Sequence, residues 1–173
     1  MVLVPVFIAS LLYYCPDRAY FHSVSVLVFL LACISDGVDG FIARKLHQKT
    51  IVGSYIDPIA DKLLLLSGFL CLSLMNHLPV EMRIPAWVTI PVIARDVVIL
   101  IGSTIIFLTT GHLKVQPLFV GKLTTVTQML TILASLILAP HSIRIGLFFA
   151  TLFLTVASGV RYIKTGGRIL QST

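Results

Sequence analysis

Six long apolar stretches, separated by short polar breaks, make up most of this 173-residue chain. They run over about 2–14, 21–43, 53–75, 86–108, 118–139 and 143–163. A helix needs roughly 20 apolar residues to cross the hydrocarbon core of a bilayer, whereas a spanning strand needs only about 10 and alternates in polarity. None of the six stretches alternates. In lipid every backbone N–H and C=O must find its partner within the segment, which a helix achieves by itself. The pattern therefore predicts an all-α, polytopic integral membrane protein with six transmembrane helices. The polar breaks are too short to fold as soluble units, so residues 1–173 read as a single membrane domain.

Composition supports this class. Hydrophobic residues make up 57% of the chain and charged residues 12%, about half the share usual in soluble domains. The mean hydropathy is +1.01. The net charge of +6 would suggest nucleic acid in a soluble protein, but no basic patch with interleaved aromatics is present, which excludes that partner. The basic residues flank the apolar runs instead. With the N-terminus inside, the inner side collects Arg44, Lys45, Lys49, Lys62, Lys114, Lys122, Arg161, Lys164 and Arg168, and the outer side Arg18, Arg83 and Arg144. That bias places the segment between the second and third stretches in the cytoplasm. It also turns any site built at that segment toward the cytoplasm. The apolar N-terminus has neither the basic start nor the small-residue cleavage site of a signal peptide, so it reads as a first span. Cys15, Cys33 and Cys71 match no metal or redox spacing.

The acidic residues carry the chemistry. There are seven, and Asp36, Asp39, Asp57, Asp61 and Asp96 fall inside apolar stretches. A carboxylate at membrane depth costs at least about 2.5 kcal/mol, so such residues mark function or a compensated network. Asp36 and Asp39 are three apart on one predicted helix, and Asp57 and Asp61 four apart on the next, so each pair shares a face. A short loop joins the two helices, and the pairs can converge near their inner ends. Four carboxylates together repel one another unless cations neutralise them. Hard oxygen ligands suit Mg²⁺, Mn²⁺ or Ca²⁺ and not zinc, and Mg²⁺, as a metal pair, suits phosphate chemistry. Gly37, Gly40, Ala43, Gly53 and Ser54 surround the acids. Small residues there either allow close helix packing or leave room for a ring or phosphate. By themselves the acids also fit a cation transporter.

The segment Asp36-Gly-Val-Asp39-Gly40-Phe-Ile-Ala43-Arg44, followed after eight residues by Gly53-Ser-Tyr-Ile-Asp57-Pro-Ile-Ala-Asp61, matches all eight fixed positions of the CDP-alcohol phosphatidyltransferase signature. Ala94-Arg95-Asp96 in the fourth stretch and Gly121-Lys122 through Gln128 in the fifth extend the likeness over nearly the whole chain. They resemble the bacterial phosphatidylglycerophosphate synthase and cardiolipin synthase branches of that family, which implies a bacterial inner membrane with the active site facing the cytoplasm. The resemblance implies two divalent ions, Mg²⁺ or Mn²⁺, held by Asp36, Asp39, Asp57 and Asp61. It implies Asp61 as general base and places Gly40, Ala43, Arg44 and Gly53 around the cytidine nucleotide. The implied donor is CDP-diacylglycerol, and the implied reaction releases CMP. The acceptor is read first as glycerol 3-phosphate, giving phosphatidylglycerophosphate, and alternatively as phosphatidylglycerol, giving cardiolipin. A homodimer is implied by the same analogy.

Lys122 and Arg95 are candidate acceptor-binding residues. Lys122 either binds a phosphate or snorkels to the interface, and Arg95 either contacts the acceptor or forms a neutral structural pair with Asp96. His47, His112 and His141 read as plain loop residues. Two departures stand out. Relatives of this type carry a polar amphipathic segment before the first span, whereas this sequence starts inside the apolar run, which reads as a shortened start or as missing headgroup contacts. The glycerol-phosphate branch carries a further Arg after the one in the fourth span. Here residues 97–102 are uncharged, which points toward a lipid acceptor.

Overall fold

The computed structural model describes residues 3–14, 23–35, 51–110 and 119–171, with the side chains of 3, 51–61, 105–110 and 166–171 outside that description. Among the described residues the fold is all-helical. The helices are α1 (Leu3–Leu12), α2 (Ser23–Ser35), α3 (Ile51–Leu74), α4 (Ala86–Thr110), α5 (Phe119–Leu136) and α6 (His141–Gln171), with a 3₁₀ turn at Val80–Met82. Each falls on one of the apolar stretches. Among the described residues three segments are both long and apolar enough to cross a membrane: Val80–Thr104, Phe119–Leu136 and His141–Thr165. The apolar parts at Ser23–Ser35 and Lys62–Leu74 are shorter.

The boundaries follow local chemistry. Pro140 cannot continue α5, and the chain turns before it with Leu138 in the left-handed region at φ 55° and Ala139 N–H bonded back to Ala134 O at 2.9 Å. Helix α4 starts just after Pro85, whose carbonyl accepts from the Val88 and Thr89 amides. It continues through Pro91, which has no N–H to give the Trp87 carbonyl. The sixth apolar stretch ends at 163, but helix α6 continues past it through the basic residues to Gln171. No proline interrupts that segment, and Lys164 and Arg168 near the C-terminal end suit the negative pole of the helix dipole.

The chain divides into two compact units. The first comprises residues 1–84 and 132–141. Here α1 packs on α3. Phe7 and Phe29 stack with centroids 5.5 Å apart, and Ser25 Oγ donates to Ser10 Oγ at 3.0 Å. The core is Leu11, Leu64, Leu65, Phe69, Leu72, Leu78, Met82 and Ile84, all fully buried. The loop after α3 is closed by backbone: Ile84 N–H reaches Leu72 O at 3.0 Å. Arg83 donates to the carbonyls of Leu78 and Asn76, so this loop cation serves the loop's own geometry.

The second unit comprises residues 85–131 and 142–173. It is built inside out relative to a soluble domain. Thr124, Gln128, Thr131, Thr151, Thr155 and Ser158 are buried, as are Arg95 and Asp96. Ile90, Ile101, Val126, Phe153, Val156 and Ile163 are exposed. Exposed aliphatic and aromatic side chains on this scale have a place only against lipid, where apolar surface is not penalised. Between α5 and α6, Thr124 Oγ1 donates to Leu154 O at 3.2 Å, and the Thr131 and Thr151 hydroxyls bond at 2.7 Å. Trp87 meets Phe148 edge-on at 6.3 Å and Phe149 at 5.4 Å. Gly102 admits Tyr162: a Cβ at Gly102 would come within 2.9 Å of the ring, and Tyr162 Oη donates to Ile99 O at 3.1 Å.

Candidate functional site

The sequence places the acids on two helices, and the structure describes the backbone of one. Asp57 and Asp61 lie on continuous helix one turn apart, in the first half of α3, with Gly53 one turn before Asp57. Asp36 follows directly on the last residue described in α2, Ser35. Asp36, Asp39, Gly40, Ala43 and Arg44 lie outside the described residues, as do the side chains of Asp57 and Asp61. The four residues expected from the sequence to be ligands are all carboxylates, with no thiol or imidazole among them. That is the chemistry of a hard divalent ion such as Mg²⁺ or Mn²⁺ rather than of zinc.

A separate polar cluster lies within the second unit, and its side chains are described. Arg95 and Asp96 sit in α4 and are 8% and 6% exposed, with five apolar residues of the next six being Val97, Val98, Ile99, Leu100 and Ile101. Arg95 Nη1 donates to Asp96 Oδ1 at 2.7 Å. Its Nη2 donates to Ser158 Oγ of α6, also at 2.7 Å. The pair is neutral overall, which is what lets either charge sit at this depth. Arg95 Nε is buried without a hydrogen-bond partner.

Two glycines flank this side chain. A Cβ built on Gly121 of α5 would lie 3.4 Å from Arg95 Nη2, and one on Gly159 of α6 would lie 3.7 Å from Arg95 Cγ. The guanidinium is therefore held among three helices, against the residue that precedes Lys122. Lys122 itself is exposed, in the first turn of α5. A cation there opposes the helix dipole, so helix stability gives no reason for it. The structure thus brings Arg95 to Gly121 in the first turn of α5, the residue before Lys122.

Sequence reasoning missed Ser158, Gly121 and Gly159 as neighbours of Arg95. A signal was available. Thr124, Gln128 and Thr131 in α5 and Thr151, Thr155 and Ser158 in α6 have the same spacing, i, i+4 and i+7, inside otherwise apolar runs. Such a stripe keeps one face of each helix polar, and the two faces meet.

The uncharged stretch after Arg95 also takes a different meaning. Val97, Val98, Leu100 and Ile101 are all at least 40% exposed. Gly102 is filled by Tyr162. The lack of a cation there reflects a mainly outward-facing surface, so it does not favour a lipid acceptor over a phosphate-bearing one.

Residues 1–158 match the family model described as CDP-alcohol phosphatidyltransferase. A Mycobacterium tuberculosis (strain CDC 1551 / Oshkosh) protein named probable phosphatidylglycerophosphate synthase is 33% identical over 169 residues, covering 94% of this chain and 75% of that one. A Salmonella typhimurium (strain LT2) protein named CDP-diacylglycerol–glycerol-3-phosphate 3-phosphatidyltransferase is 32% identical over 171 residues, covering 95% and 88%. A Bacillus subtilis (strain 168) protein of the same name is 29% identical over 161 residues, covering 88% and 78%. No solved structure matches.

Proposed function

The chain belongs to the CDP-alcohol phosphatidyltransferase family, and from that premise we propose that it transfers a phosphatidyl group from CDP-diacylglycerol to glycerol 3-phosphate, releasing CMP and forming phosphatidylglycerophosphate. The observation that carries the acceptor is the naming of the relatives over nearly the full chain as glycerol-3-phosphate phosphatidyltransferases or phosphatidylglycerophosphate synthases. Buried Arg95 beside the Lys122 end of α5 supports it, because a phosphomonoester acceptor calls for cations.

In this reading the chain's own residues act as follows. Asp61 takes the proton from the acceptor hydroxyl as that oxygen forms its bond to the β-phosphorus. The bond from that phosphorus to the oxygen bridging to CMP breaks, and CMP leaves with the electron pair. Asp36, Asp39, Asp57 and Asp61 would hold two divalent ions, which supply charge compensation for the diphosphate. Gly40, Ala43, Arg44 and Gly53 border the cytidine nucleotide, with Arg44 offering a planar fork to phosphate. Lys122 and Arg95 bind the acceptor phosphate. A guanidinium has five N–H donors, and Asp96 and Ser158 engage one each, so donors remain for a ligand. Six spans forming one catalytic domain, with the site on the cytoplasmic side of a bacterial inner membrane, complete the reading.

The test is CMP release by purified protein in CDP-diacylglycerol vesicles with Mg²⁺ and one acceptor at a time. Release with glycerol 3-phosphate is expected. Release with phosphatidylglycerol alone would overturn the acceptor assignment, and metal flux without CMP release would overturn the enzyme reading.

A further inference from the structure

Arg95 and Asp96 are neighbours in sequence, and on a helix neighbours point about 100° apart and do not face each other. Their 2.7 Å ion pair therefore needs the arginine side chain to be drawn sideways. Ser158, on another helix, accepts from Nη2 at the same 2.7 Å. Each terminal nitrogen of the fork is thus fixed by a different partner. The flanking glycines leave room for the side chain without overlapping it: a methyl at Gly121 or Gly159 would sit at 3.4 or 3.7 Å, ordinary contact distances. The guanidinium is held in one orientation before any ligand arrives.

We propose that Ser158, acting with Asp96, is a positioning residue that presents the remaining Arg95 donors to the phosphate of the acceptor. This rests on the reading of Arg95 as an acceptor contact. The physical reason is preorganisation. A free arginine carries about 2 kcal/mol of rotamer entropy, and ordering it at the moment of binding weakens affinity for the ligand it meets. Asp96 supplies the charge that lets Arg95 be buried. Ser158 supplies direction without charge, so its removal changes orientation and leaves the ion pair in place.

The experiment compares Ser158→Ala, Ser158→Thr and Arg95→Lys in vesicles, measuring KM for glycerol 3-phosphate, KM for CDP-diacylglycerol and the thermal midpoint. Ser158→Ala is expected to raise the glycerol 3-phosphate KM about tenfold, the scale of one hydrogen bond to a charged group, with the CDP-diacylglycerol KM unchanged and the midpoint lowered only by the loss of that one buried bond. Ser158→Thr, which keeps the hydroxyl, is expected to restore it. An unchanged glycerol 3-phosphate KM in Ser158→Ala, with a raised one in Arg95→Lys, overturns the role of Ser158 and leaves Arg95 at the acceptor. An unchanged value in both overturns Arg95 as an acceptor contact as well. A lowered midpoint with neither KM moved makes Ser158 a packing residue and overturns the proposal.

Discussion

Gln128 offers a test of how the buried polar seam is held. It lies in α5 with 0% exposure, and among the described residues neither its amide nitrogen nor its amide oxygen has a hydrogen-bond partner. Burying an amide unpaired costs about 1–3 kcal/mol. Methionine has nearly the same length and volume and carries no amide, so Gln128→Met removes the penalty without opening a cavity. The expected result is stabilisation of about 1–3 kcal/mol, or roughly 2–12 °C in thermal midpoint for a chain of this size. The assay is thermal unfolding in detergent micelles, followed by loss of the monodisperse peak. Gln128→Glu serves as the opposite control, because a buried unpaired charge lowers the midpoint. A fall of several degrees in Gln128→Met would refute the reasoning. It would mean that water or a lipid group satisfies the amide, and that the seam is wet rather than dry.

The acid cluster and the rest of the seam give further predictions. Asp61→Asn should lower CMP release at least about 10²-fold, the lower range for a general base, while the helical circular dichroism signal is kept; wild-type turnover would remove Asp61 as base. Lys122→Ala should raise the glycerol 3-phosphate KM and Lys122→Arg should restore most of it, whereas a lysine that only snorkels would leave the KM unmoved in both. Gly102→Ala should lower the thermal midpoint by the equivalent of about 1–3 kcal/mol through overpacking against Tyr162, and Gly146→Ala, with nothing within 4 Å of its Cβ, should not lower it. Chelation should abolish CMP release and Mg²⁺ or Mn²⁺ should restore it, with two ions bound per chain at saturation.

Much of this was legible in the sequence, for identifiable reasons. Helix positions follow from apolar runs that a bilayer requires to be long and continuous, and proline marks the break at Pro140 where it removes a donor. The end of α6 was not legible, because Lys164 to Gln171 is polar enough to look like a tail while nothing in it stops a helix. The acid pairs were legible because charge in an apolar run has no other easy explanation. The pairing of Arg95 with Asp96 and Ser158 was not. Adjacent residues do not face each other on a helix, and Ser158 lies 63 positions away. The glycines at 121 and 159 were ambiguous for the same reason, since small residues serve packing and ligand space alike until a neighbour is known.

Charge bookkeeping inside the apolar stretches separates the two polar clusters. Five carboxylates lie there: Asp36, Asp39, Asp57, Asp61 and Asp96. Asp96 is matched by Arg95 at 2.7 Å, a pair that needs nothing further to stay neutral. That leaves four negative charges, all on the signature positions. Lys62, beside Asp61 in sequence, offsets at most one of them. One divalent ion would then leave at least one carboxylate unmatched at a depth where that costs about 2.5 kcal/mol or more. Two ions cover the set with or without Lys62. The same requirement, that buried charge be matched locally, is met within the chain at Arg95. At the acid cluster, on the proposed reading, the two ions that accompany a polyanionic donor would meet it.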